Sequence, residues 1–210
     1  MSLLARRAFL IGLVAMPASL AAQSDLERKV ADTLARADRG TLTQAWEAGI
    51  ALTQLPGEDD ALARAIEAAV SRVGGLGRLA AARALSDISD GAALGDKVLE
   101  ALSPLTESDD PELRTAAMGL LGRDVFTRST LKQALAILEK NTTSELVDPK
   151  VRVAAAKSLW ARGTPELRRV AQRTLNDFVR STDRELRVAG ALALAEINDF
   201  ASAEPVLRQI

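Results

Sequence analysis

Apolar residues recur along the chain at helical spacing. Leu26, Val30, Leu34 and Ala37 fall on one face of a helix predicted from Ser24 to Ala37, with Ser24 or Asp25 placed to cap its start and Gly40 to end it. Leu42 to Leu55 continues the pattern, Pro56-Gly57 makes a turn, and a helix from about Glu58 to Val73 runs to the breaker Gly74-Gly75. The same period returns over Leu76 to Ile88, Ala92 to Leu105, Pro111 to Arg123 and Ser129 to Glu145. It returns again over Pro149 to Ala161, Pro165 to Val179 and Arg184 to Ile197. Asp90-Gly91 is a further turn, Pro104 weakens the last turn of its helix, and a short segment from Ala201 to Ile210 ends the series. Every predicted element is helical and every connection is short, which implies helix pairs stacked side by side.

One pattern organises these helices. DPKVRVAAAKSL from Asp148 to Leu159 recurs as DPELRTAAMGLL from Asp110, as DRELRVAGALAL from Asp183, and in worn form as GGLGRLAAARAL from Gly74. Its arginines, Arg78, Arg114, Arg152 and Arg187, are 36, 38 and 35 residues apart, so the chain is an array of similar units. Two and three residues after each arginine stand small residues, Ala80-Ala81, Ala116-Ala117, Ala154-Ala155 and Ala189-Gly190. Seven after it stands Leu85, Leu121, Leu159 or Leu194. These positions share a face, where small residues admit a neighbouring backbone and the leucine fills the space behind. Asp110, Asp148 and Asp183 are predicted N-caps, two of them followed by a proline suited to the first helical position. The repeat arginines are expected to pair with aspartates of their own or a neighbouring unit, in a ladder along the stack.

The motif of Asp, two variable residues, Leu or Val, Arg, one variable residue, Ala-Ala and a later Leu resembles the second helix of HEAT repeats, particularly the short bacterial kind first noticed in phycobilin lyases. The resemblance covers residues 74–198 by motif and 24–73 by pattern. It implies an all-α fold, an α-solenoid of about five antiparallel helix pairs over residues 24–210. Such arrays serve mostly as binding scaffolds, with the motif helices lining the concave face.

Composition narrows the chemistry. There is no Cys and no His, so disulfides, thiolate and imidazole catalysis and the usual zinc, haem and iron–sulfur ligands are excluded, and no cofactor is expected. A formal charge of −1, with both signs mixed along the chain, gives no field that favours nucleic acid. Residues 1–21 have the layout of a signal peptide: Arg6 and Arg7, an apolar run from Ala8 to Met16, Pro17, and small residues at Ser19 and Ala21. Arg6, Arg7, Phe9 and Leu10 resemble the twin-arginine export signal, although Ala5 and Ile11 depart from it; general secretion is the other route. Either delivers the chain to the periplasm or otherwise outside the cell. The apolar run falls short of the roughly 20 residues of a membrane span, so no stable insertion is expected after cleavage.

Few residues stand out as candidate contacts. Trp160 occupies a position held by Ser86, Gly122 and Ala195 in the other copies; it is either an anchor for a partner or the filler of a packing gap. Lys157 and Arg83 share another motif position, and with Arg123 and Arg162 they form either a basic strip for an acidic partner segment or a set of solvated charges. Trp46 is expected in the core. The acidic groups Glu58 to Asp60 and Glu107 to Asp110 sit at helix starts, where they complement the dipole. Asn141-Thr142-Thr143 matches a glycosylation acceptor, a match without meaning beside a bacterial export signal.

Two functions follow. The first is a non-catalytic exported scaffold holding a protein or peptide on its concave face. The second is the recruiting or regulatory N-terminal part of a larger exported enzyme such as a protease, suggested by the unpaired apolar segment Ala201 to Ile210. An array that is itself an enzyme fits less well, because export and the acidic mature chain count against DNA and the absence of His against metal-dependent hydroxylation.

Overall fold

The computed structural model of the protein describes residues 18–88 and 91–209. Most of the predicted signal peptide, with Arg6, Arg7 and the apolar run, lies outside the described residues, as do Asp90 and Ile210. Among the described residues the chain forms helices α1 (Ala18–Asp38), α2 (Leu42–Thr53), α3 (Asp59–Val70), α4 (Gly75–Asp87), α5 (Gly91–Leu102) and α6 (Pro111–Leu121). It continues with α7 (Arg128–Thr143), α8 (Pro149–Arg162), α9 (Pro165–Val179), α10 (Arg184–Glu196) and α11 (Phe200–Leu207), and it contains no strand. Two departures from expectation have simple causes. Helix α1 is already running at Ala18, because the Ala-rich stretch before Ser24 propagates a helix, so neither Ser24 nor Asp25 is its cap. Pro104 ends α5 at Leu102 and leaves Ser103–Glu107 as a 3-10 turn.

The helices pack in two rows. The even-numbered helices α2, α4, α6, α8 and α10 each touch the next of their kind, and so do the odd-numbered ones from α1 to α11. The motif residues make the seam. Ala81, Ala117, Ala155 and Gly190 are all buried, and Leu85, Leu121, Leu159 and Leu194 lie behind them with at most 1% of their surface exposed. Gly190 shows why that position stays small: a Cβ there would stand 2.8 Å from the Phe178 Cβ and 3.0 Å from the Leu175 carbonyl oxygen of α9. Gly49 of α2 comes equally close to α4, 2.9 Å from the Ala80 oxygen by the same measure.

The predicted caps form. Asp110 accepts from the amides of Glu112 and Leu113, Asp148 from Lys150, and Asp183 from Glu185 and Leu186. The worn copy has Gly74 where the others have Asp, and its cap comes from elsewhere: Asp38, at the end of α1, accepts from the Gly74 and Gly77 amides at 2.8 and 3.1 Å. A side chain at position 74 would crowd that carboxylate, the ideal Cβ standing 3.0 Å from both its oxygens. The lost local cap thus became a tie between α1 and α4.

The expected ladder of repeat arginines and aspartates does not form. Arg114 donates twice to the Asn141 side-chain oxygen, at 3.0 and 2.7 Å. Arg152 donates to the Thr142 carbonyl and stands over the Phe178 ring, and Arg187 donates to the Ser181 and Thr182 carbonyls. The cap aspartates are already occupied by their own helix amides, whereas the end of an adjacent helix offers free carbonyls and the negative end of its dipole. Asn141 is only 2% exposed and bound to Arg114, so the apparent glycosylation acceptor is an internal strut.

The seam predicts opposite effects at two glycines. Gly119 is exposed in mid-helix and a Cβ there meets nothing within 4 Å, so Gly119→Ala should stabilise the protein by about 0.5–1 kcal/mol. Gly190→Ala must push apart α9 and α10 and should destabilise it by about 1–3 kcal/mol. Urea unfolding at unchanged slope measures both.

Candidate functional site

The candidate residues lie on the even-numbered helices, near their C-terminal ends, and each cation meets a carboxylate. Asp87 of α4 pairs with Arg83 one turn earlier, at 2.8 Å, and with Arg123 at the end of α6. Arg123 also donates to the Ser86 hydroxyl at 3.0 Å. One unit on, Arg162 of α8 pairs with Asp124 at 2.6 Å, and Lys157 pairs with Glu196 of α10. The expected basic strip is therefore charge-balanced. The pairs Asp87–Arg123, Asp124–Arg162 and Lys157–Glu196 each join neighbouring units, so a ladder of charges exists, built from residues other than the repeat arginines. Asp87, Asp124 and Glu196 were not singled out from the sequence. Their signal was an acid about one repeat length from a base at the same end of successive motif helices.

Arg83 is the most enclosed of these cations, its side chain 14% exposed and its guanidinium 4.7 Å from the centre of the Trp46 ring. Trp46 is consequently half-buried at the surface of the α2–α4 contact, held there by a cation–π contact rather than enclosed in the core as expected. Burial, and Arg123 beside it, pull the Arg83 guanidinium below its ordinary range while Asp87 opposes them. The structure thus brings Arg83 together with Arg123, and Lys157 with Trp160.

Trp160 is half-buried against the core, with part of its surface open. With Lys157, Glu196, Ile197 and Asn198 it lines a shallow cavity of about 350 Å³ between the ends of α8 and α10. The rim is fixed by a helix stop. Asn198 takes the left-handed conformation, with φ at 64°, and its amide and that of Asp199 reach back to the carbonyls of Ala195 and Leu194 at 3.0 and 2.9 Å. Asp199 then caps α11 and binds the Gln172 side chain of α9 at 2.7 Å. The Gln172 bond, aided by Ser202, holds the Asp199 carboxyl below its ordinary range against the effect of burial.

No family model matches the chain, and no curated protein and no solved structure matches it either. Among the described residues no group of three or more Asp and Glu side chains is placed to hold a metal ion, and no helix is long and apolar enough to cross a membrane. What the surface offers is shape and paired charge along a row of helices.

Asp87 serves two partly enclosed arginines, so Asp87→Ala should destabilise the protein by about 1–2 kcal/mol, between the ranges for exposed and buried pairs. Lys140→Ala, at a pair in which both side chains are more than two thirds exposed (68% and 73%), should change stability little. Chemical denaturation of the two variants at one salt concentration makes the comparison.

Proposed function

We propose that this chain is an exported α-solenoid of about five antiparallel HEAT-like helix pairs over residues 24–210, and that it holds a protein or peptide along the face of its motif helices. The observation that carries this reading is an open stripe on that face. The fifth position after each repeat arginine is Arg83, Gly119, Lys157 and Leu192 in turn, and it is left free of packing at Gly119 and half exposed at Leu192. A glycine in mid-helix on α6 with open space above it, the Trp160 cavity at the ends of α8 and α10, and an uncovered leucine on α10 lie along one row of helices and suit close approach by another chain. Because Lys157 is matched by Glu196 and Arg83 by Asp87, the partner is selected by shape and apolar contact more than by net charge. Trp160 and Lys157 supply the edge of the contact. Arg123 and Arg162 hold neighbouring units in register through Asp87 and Asp124, and Arg83 packs over Trp46 of α2. The chain acts without a cofactor and is not an enzyme, nucleic acid is not its partner, and after signal cleavage it works in the periplasm without membrane insertion.

A second reading is favoured by α11, where Phe200 is 60% exposed on an uncovered apolar face. In it the array recruits substrates for a larger exported enzyme whose next unit covers that face.

The test is site-specific photo-crosslinking in the native cell, with the probe at Gly119 or Leu192 and a control probe at Arg64 on α3. One discrete protein adduct from both motif-face positions, absent from the control, is the expected result. Adducts that are absent, or equal at all three positions, would sink the scaffold reading.

A further inference from the structure

Arg78 breaks the rule that the other repeat arginines follow. Arg114, Arg152 and Arg187 are each held by acceptors at the end of an adjacent helix, whereas the Arg78 side chain has no hydrogen-bond or ion-pair partner among the described residues. The cause lies in the 3-10 turn after α5. Arg114 finds Asn141 27 residues further on, and the corresponding residue for Arg78 is Leu105, an apolar side chain turned into the core. The half-buried guanidinium instead lines a cleft of about 810 Å³ between α5 and α7.

The walls of this cleft are two helix stripes. Asp96, Leu99, Glu100 and Ser103 lie at positions i, i+3, i+4 and i+7 of one, and Ser129, Gln133 and Ile137 at i, i+4 and i+8 of the other. The stripe from Asp96 to Ser103 is about 10 Å long at 1.5 Å per residue, the span of about three residues of extended peptide. Asp96 and Glu100 are also without ion-pair partners among the described residues, so the cleft holds one free cation and two free anions with apolar surface from Leu99 and Ile137.

We infer that this cleft binds an extended segment of a partner protein that places a carboxylate on Arg78, a basic side chain towards Asp96 and Glu100, and an apolar side chain between them. Guanidinium takes a carboxylate through two parallel donors, and a partly enclosed site strengthens that pair relative to open water. The two acids on one wall reject segments of uniformly negative charge. The site lies away from the motif-face stripe and does not depend on it.

A random heptapeptide library displayed on phage, selected on the full chain, provides the probe. The recovered sequences should carry both an acidic and a basic residue, with an apolar residue between them. A synthetic peptide of that sequence should bind the Arg78→Gln chain at least tenfold more weakly, and lose as much when its own acid becomes an amide, with little further loss when both changes are combined. Gln133→Glu, which adds a carboxylate to the cleft, should also weaken binding. Thermal unfolding separates recognition from structure. Arg78→Gln should melt with the wild type, and Arg114→Gln, which gives up the bonds to Asn141, should melt lower. The proposal is overturned if no such consensus emerges, if recovered peptides bind the Arg78→Gln chain as tightly as the wild type, or if Arg78→Gln lowers the melting point as much as Arg114→Gln.

Discussion

The fold depends on how closely neighbouring helices approach at the small positions of the motif. At Gly190 the α9 backbone lies nearly at contact distance; Ala81, Ala117 and Ala155, at the same motif position, are fully buried, and the leucine one turn further on closes the gap. That contact sets the distance between units. Once it is set, the helix ends fall beside one another, and their free amides and carbonyls find partners across units as well as within them. Asp38 capping α4 and Arg187 binding the carbonyls after α9 are both consequences of that spacing.

Charge has a second task in this arrangement. Of the side chains that looked like a basic strip, Arg123, Arg162 and Lys157 hold successive units in register through Asp87, Asp124 and Glu196, and Arg83 pairs with Asp87 within α4. A pair of half-enclosed charges contributes modestly to stability but tolerates only one alignment, so its main effect is on geometry. On the motif side the candidate cations are matched by acids, whereas Arg78, Asp96 and Glu100 in the α5–α7 cleft have no ion-pair partner among the described residues.

The helices were largely legible because apolar period, cap residues and Pro or Gly stops all agreed; the helix Pro165–Val179 has the bounds that its Thr-Pro start and its apolar period imply. The start of α1 was misplaced because Ala-rich sequence propagates a helix past a plausible cap. The partners of the repeat arginines were not legible, since they depend on which helix end lies alongside, a fact of tertiary packing. Asn141 carried the pattern of a surface modification site and proved to be buried. Trp46 read as core from its apolar neighbours, and it does pack against the core, but only half-buried, with the Arg83 guanidinium over its ring. Arg78 became informative only when its three counterparts had visible partners.

Native-state amide hydrogen exchange on a Gly190→Leu variant tests most directly the claim that the molecule is a stack of units held by these close contacts. The account predicts faster exchange in α9, α10 and α11, next to the overpacked seam, with α2 to α4 still protected. Equal acceleration along the whole chain would contradict it, because the helices would then form a single core without separable units.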